Sequence, residues 1–170
     1  MVGGSLGAKP LNETVPAALA ILPEQARPHV THQSGRQHLE MLRAAYQEKG
    51  VEANVVAFID DMATAYVQAD VVVCRAGAIT VAELAAAGVA SVLVPLPHAV
   101  DDHQTANARF LANREAAILI PQRELTPRRL ADVIMSFTRD SLSQMASKAK
   151  ALGRVKAAQE VADHCVAMVG

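Results

Sequence analysis

Short β-branched runs alternate along the chain with longer, Ala-rich segments of helical period. That rhythm predicts a parallel sheet with helices on its faces. The expected strands are His29-Ser34, Asn54-Ile59, Val71-Cys74, Ser91-Leu96 and Ala117-Ile120. Val71-Val72-Val73 and Val92-Leu93-Val94 are continuously apolar, which suits central strands buried on both faces. The expected helices are Leu11-Leu22, Gln37-Lys49, Met62-Gln68, Thr80-Ala87, Gln104-Asn113, Pro127-Phe137, Ser141-Ala151 and Lys156-Met168. Thr126 before Pro127 is an N-cap followed by a first-turn proline. Gly50 and Gly88 fall where helix ends favour a residue tolerant of positive φ.

No internal repeat or linker interrupts the pattern, and 170 residues make about one domain. The fold class expected is α/β, a Rossmann-like parallel sheet with helices on both faces. Gly3-Gly4-Ser5-Leu6-Gly7 reads as a strand-to-helix loop, yet only Met1 and Val2 precede it. Since such a loop ordinarily follows a full strand, the sequence is expected to be half of a longer protein.

Composition narrows the functions open to it. With 51% apolar residues the chain is not disordered, and with two Tyr, three Phe and no Trp its core must be aliphatic. Exposed rings for stacking on single-stranded nucleic acid are scarce. A formal net charge of -1 gives no electrostatic reason to expect a polyanion, so no nucleic-acid partner is expected and any phosphate must be held locally. Cys74 and Cys165 fit neither a metal-ligand spacing nor a disulfide framework, which suggests a reducing, cytoplasmic setting. The N-terminus lacks the pattern of a signal peptide. Leu84-Leu96, the most apolar stretch, is too short for the roughly 20 residues that span a bilayer, so any membrane contact is expected to be peripheral.

Two Gly-rich loops could carry chemistry. Gly3 to Ala8 leads into a helix and could bring backbone amides to an anion, but it matches neither the dinucleotide fingerprint nor the phosphate loop ending in Gly-Lys-Ser/Thr. It suits a packing turn as well. Arg75-Ala76-Gly77-Ala78-Ile79-Thr80 is more informative, because it leaves a buried strand and opens a helix. Its small residues would leave the helix N-terminus accessible, where free amides and the Thr80 hydroxyl could hold a phosphate. Glu83 would lie about 5 Å farther along the axis on the same side, placed to accept two ribose hydroxyls. The Thr-x-x-Glu spacing also fits a capping box at Thr80 and Glu83, and the two readings are compatible.

Asp60-Asp61 ends another strand, and its carboxylates suit caps for the next helix better than a metal site. His98, Asp101, Asp102 and His103 could ligate a divalent ion, but without a further ligand pair a polar substrate-facing loop fits better. His29, His32, His38 and His164 suggest structural or exposed roles. Arg128-Arg129 and the Lys148, Lys150, Arg154, Lys156 series read as solvated helix faces.

Five stretches in series carry a specific resemblance over essentially the whole chain. They are Gly3-Gly4-Ser5-Leu6-Gly7-Ala8, His32-Gln33-Ser34-Gly35, Phe58-Ile59-Asp60-Asp61-Met62, Arg75-Ala76-Gly77-Ala78-Ile79-Thr80 with Glu83, and His103-Gln104-Thr105-Ala106-Asn107. Together they resemble the C-terminal half of the MurG family of GT-B glycosyltransferases. The resemblance implies a donor-binding domain, residues 1-170, of an inverting enzyme that transfers GlcNAc from UDP-GlcNAc to lipid I, forming lipid II in peptidoglycan synthesis. It places the chain in cell-wall biogenesis, and so in cell shape and cell division. By position, the Ile59 main chain would bond uracil and Ser5 would line the cleft. Ala78, Ile79 and Thr80 would hold the phosphates, Glu83 the ribose, and Gln104 and Asn107 would face the sugar. The family has two glutamines where this chain has His103-Gln104, so His103 is given no role.

The resemblance implies no cofactor or metal. It assigns the lipid I acceptor, the catalytic base and a peripheral contact with the cytoplasmic face of the inner membrane to an N-terminal domain not in this sequence. No catalytic residue is therefore expected here, and the chain alone should bind donor without turnover. Other readings stay open: a further GT-B enzyme acting on a UDP-sugar, such as a 2-epimerase or glycolipid synthase, or a nucleotide-binding module without chemistry. A Rossmann-type cofactor binder lacks the expected glycine pattern.

Overall fold

The computed structural model describes residues 1, 8–97 and 102–169. All five expected strands form, as β1 (Thr31–Gln33), β2 (Asn54–Val56), β3 (Val71–Cys74), β4 (Ala90–Leu93) and β5 (Ile118–Leu119). So do the eight helices: α1 (Lys9–Ile21), α2 (Leu39–Glu48), α3 (Met62–Gln68), α4 (Ala78–Ala87), α5 (His103–Ala112), α6 (Pro127–Ser136), α7 (Arg139–Ala151) and α8 (Ala157–Val169). Every pairing is parallel. β1 lies beside β2, with Gln33 opposite Val56 as the last pair, and β3, β4 and β5 form a second ladder in that order.

The two apolar runs behave as their sequence requires. Side chains alternate across a strand, and here they feed two different cores. Val73 with Val92 and Val94 packs among Leu11, Leu19, Leu42 and Leu130 of α1, α2 and α6. Val72, Cys74 and Leu93 pack among Tyr66, Leu84, Leu111 and Ala149 of α3, α4, α5 and α7. The sheet is thus covered on both faces, as in doubly wound folds.

Between the two ladders lies a groove of about 1500 Å³, bordered by Val30, Thr31 and Val55 on one side and Val71 and Val72 on the other. The main chain of Met1 brackets His32 at its end, donating to the Thr31 carbonyl at 2.9 Å and accepting from the Gln33 amide at 3.1 Å. This is the bonding of a parallel bridge.

Local signals acted as expected at several ends. Gly88 closes α4 in the left-handed region, at φ 72° and ψ 56°, and Gly50 has φ 60°. Thr126 caps α6, its hydroxyl accepting from the Arg129 amide at 3.1 Å. Cys74 is buried and Cys165 exposed, both free, and burial pushes the Cys74 thiol up to about 12. Among the described residues no helix is long and apolar enough to cross a membrane.

Candidate functional site

The carboxyl ends of parallel strands leave loops on one edge of the sheet, and the helices that follow point their N-termini there. β3 hands over to α4 at this edge through Arg75, Ala76 and Gly77. The Arg75 guanidinium fixes the handover: it donates to the carbonyls of Val94 and Pro95, both at 3.2 Å, and to Gln122 Oε1 at 2.6 Å. Ala76 is fully buried, and its carbonyl accepts from Asn107 Nδ2 at 3.1 Å.

The N-cap of α4 is Gly77, in extended conformation and without any side-chain capping bond. The helix therefore starts at Ala78, two residues before the expected Thr80. This corrects the capping-box reading. Thr80 sits at the third helical position, and the Glu83 carboxylate accepts from the Tyr66 hydroxyl at 3.0 Å instead of returning to a backbone amide. The physical reason is that an exposed turn of small residues with an extended glycine before it can begin a helix without a polar side chain, leaving its first amides open.

Those amides belong to Ala78, Ile79 and Thr80, since the first intrahelical bond runs from the Val81 amide to the Gly77 carbonyl at 2.9 Å. Ala78 is exposed and Ile79 is 76% exposed, so among the described residues little packs over the helix end on that side. A Cβ added to Gly77 would meet only Thr80 Oγ1, at an ordinary 3.7 Å. Neither crowding nor a strained backbone demands glycine here. Three N–H groups with no partner among the described residues, a hydroxyl and the positive end of a helix dipole are an anion-binding arrangement. Glu83, exposed one turn farther on, presents a carboxylate acceptor for hydroxyl groups.

The other expected residues stand around this end at different distances from it in the bonding network. Asn107 is tied directly to the loop before α4 through Ala76. Gln104 sits on the same helix, and its Oε1 accepts from the Leu96 amide at 2.9 Å, anchoring α5 to the chain leaving β4. Ile59 follows β2 and is half-buried; among the described residues nothing bonds its main chain, and nothing joins it directly to α4. Its connection runs through α3, which begins at Met62 and carries Tyr66 to Glu83. The groove between the ladders reaches Ile59, Asp60 and Tyr66 but is lined by none of the α4 residues, so it meets the candidate site only on the side away from the α4 N-terminus.

Asp61 caps α3, accepting from the Thr64 amide at 3.0 Å and hydroxyl at 2.6 Å. These bonds, the hydroxyl's first, hold its carboxyl below the usual carboxylate range. This is the capping role its position suggested. Ser5 and the rest of the first Gly-rich loop up to Gly7 lie outside the described residues, as do His98 and Asp101. Asp102 precedes α5 with φ 51°, and His103 opens that helix. Among the described residues no group of three or more His, Cys, Asp or Glu is arranged to hold a metal ion. Tyr66 and Arg75 were given no role from the sequence. Arg75 stood within a recognised stretch, whereas Tyr66 had no local signal beyond being one of two tyrosines.

Comparison with known proteins supplies the context. The profile of the glycosyltransferase family 28 C-terminal domain matches residues 1–164. A UDP-N-acetylglucosamine–N-acetylmuramyl-(pentapeptide) pyrophosphoryl-undecaprenol N-acetylglucosamine transferase of Aromatoleum aromaticum is 62% identical over 165 residues, 97% of this chain and 46% of that protein. Its namesake in Nitrosomonas europaea is 56% identical over 170 residues, 100% of this chain and 48% of that protein. Among solved structures, Acinetobacter baumannii MurG matches with a TM-score of 0.89 at 48% identity, covering 95% of this chain and 47% of that one. The chain thus spans about half the length of the relatives it matches.

Proposed function

Because the chain belongs to glycosyltransferase family 28, whose C-terminal domain its residues 1–164 match, we propose that it is the donor-binding half of the enzyme that transfers GlcNAc from UDP-GlcNAc to lipid I. The observation that carries this reading is the open N-terminus of α4 with Glu83 one turn along the same helix. Amides of Ala78, Ile79 and Thr80, with the Thr80 hydroxyl, take the donor phosphates. Glu83 takes the ribose hydroxyls, the Ile59 main chain takes the uracil edge, and Gln104 and Asn107 face the sugar. Ser5 lines the cleft from the first loop.

The chemistry asked of these residues is electrostatic. When the acceptor hydroxyl displaces the nucleotide at the anomeric carbon, the bond to the diphosphate oxygen breaks and negative charge gathers on that leaving group. Fixed N–H donors aimed at the phosphates stabilise this charge without having to reorganise. The acceptor site and proton-abstracting base are assigned to the remaining half of the enzyme, which also makes the peripheral contact with the cytoplasmic membrane surface. By itself the chain binds donor and transfers nothing.

Titration calorimetry of the 170-residue chain tests this. UDP-GlcNAc should bind saturably and UDP-glucose more weakly, with UMP weaker still because it lacks the second phosphate. Saturable binding of NAD with none of UDP-GlcNAc would overturn the reading. A preference for UDP-glucose would favour a different UDP-sugar enzyme of the same architecture.

A further inference from the structure

We propose that Tyr66 is a positioning residue for donor recognition, presenting the Glu83 carboxylate to the ribose through the bond between its hydroxyl and Glu83 Oε2. The inference rests on the reading of Glu83 as the ribose acceptor and adds the group that makes an exposed side chain fit for that task.

Glu83 stands on the solvent side of α4. A long, exposed acid samples many rotamers, and fixing one on ligand binding carries an entropic cost. Glu83 is held before any ligand arrives, because Tyr66 donates to its Oε2 at 3.0 Å. The donor is itself rigid. Tyr66 is only 4% exposed, and its ring belongs to the core that includes Val72, Val81 and Leu84. α3, which carries it, is capped by Asp61, so the phenol is anchored from both its ring and its helix.

Valence also fits. A phenol has one proton to donate, whereas a carboxylate offers about four acceptor positions on two oxygens. Tyr66 occupies one position on Oε2, and enough remain for the two hydroxyls of a ribose. Burial, then the neighbouring Glu83 charge, raises the phenol above its ordinary range, so Tyr66 stays a protonated donor throughout the range where a nucleotide would bind. The bond also spans two parts of the candidate site. α3 begins just beyond Ile59, so one short helix links the uracil contact to the ribose contact.

The test compares two ligands, UDP and 2′,3′-dideoxyuridine diphosphate, on the 170-residue chain and on Tyr66→Phe. Loss of one positioning hydrogen bond should weaken UDP roughly three- to tenfold. Affinity for the dideoxy ligand should stay unchanged, because it has no hydroxyls for Glu83 to receive. Equal weakening of both ligands would mean a merely structural role and overturn the proposal, as would undiminished UDP affinity. Failure of the parent reading looks different: the unsubstituted chain would bind no UDP, or would bind both ligands equally well.

Should Tyr66→Phe fail to fold, the unsubstituted sequence gives a second readout. It has two tyrosines, so 3-fluorotyrosine labelling gives two ¹⁹F signals, with Tyr46 as the internal control. The Tyr66 signal should move on adding UDP and much less with the dideoxy ligand. Equal movement with both, or none with UDP, would overturn the proposal.

Discussion

Glu83 is an exposed acid on a helix that it does not cap. Removing it should therefore leave stability within about 0.5 kcal/mol, as for other surface positions, since water can accept from Tyr66 in its place. If the carboxylate accepts ribose hydroxyls, Glu83→Ala should still weaken UDP binding by about 1 to 3 kcal/mol. Calorimetry paired with thermal melting separates the two effects, and a lower melting point with unchanged affinity would return Glu83 to a structural role. The residue itself was legible in the sequence, because a carboxylate three positions after Thr80 must share its helical face. Its partner was not. Tyr66 lies 17 residues earlier on another helix, and only the packing of α3 against α4 brings the two together.

At the scale of elements, α3, α6 and α7 are capped by Asp61, Thr126 and Thr138, while among the described residues α1, α2, α4 and α5 carry no side-chain cap. A side-chain cap satisfies one of the amides that a helix start leaves free. Thr126→Ala should accordingly cost about 1 kcal/mol in urea unfolding while UDP affinity stays the same. A change in affinity would show that α6 reaches the donor site. The caps of α3 and α6 were read from residue type and spacing. The sequence pattern starts α4 at Thr80, two residues later than its observed start at Ala78, since Gly77 contributes no side-chain signal. β2 was expected to run to Ile59 and ends at Val56, because its partner β1 ends at Gln33, directly opposite. A strand's length is set by what it pairs with, and that partner is far away in sequence. The same early ending releases Phe58 and Ile59 onto the edge where the candidate site lies.

Across the whole molecule, a buried polar network joins three elements. His32 is fully buried; its Nε2 meets Asn12 Oδ1 of α1 at 3.1 Å and its Nδ1 meets the Tyr46 hydroxyl of α2 at 2.9 Å. Asn12 Oδ1 can only accept, so Nε2 carries the proton and Nδ1 accepts from Tyr46. Burial lowers the His32 pKa from 6.5 to about 3. Between those values the unfolded chain takes up a proton that the folded chain refuses. Stability should therefore fall with pH below about 6.5, by up to about 1.4 kcal/mol per unit from this group. Urea unfolding at pH 7 and pH 5 checks this, and equal stability at both would exclude a buried neutral imidazole. The sequence by itself determined the alternation of strand and helix, the central apolar strands and the Gly-rich handover into α4, since periodicity and turn chemistry act over a few residues. Only the tertiary structure decided that His32 joins three elements, that Tyr66 meets Glu83 and that Asn107 holds Ala76. Each is a directional bond between segments distant along the chain, and its geometry exists only after the helices have docked on the sheet.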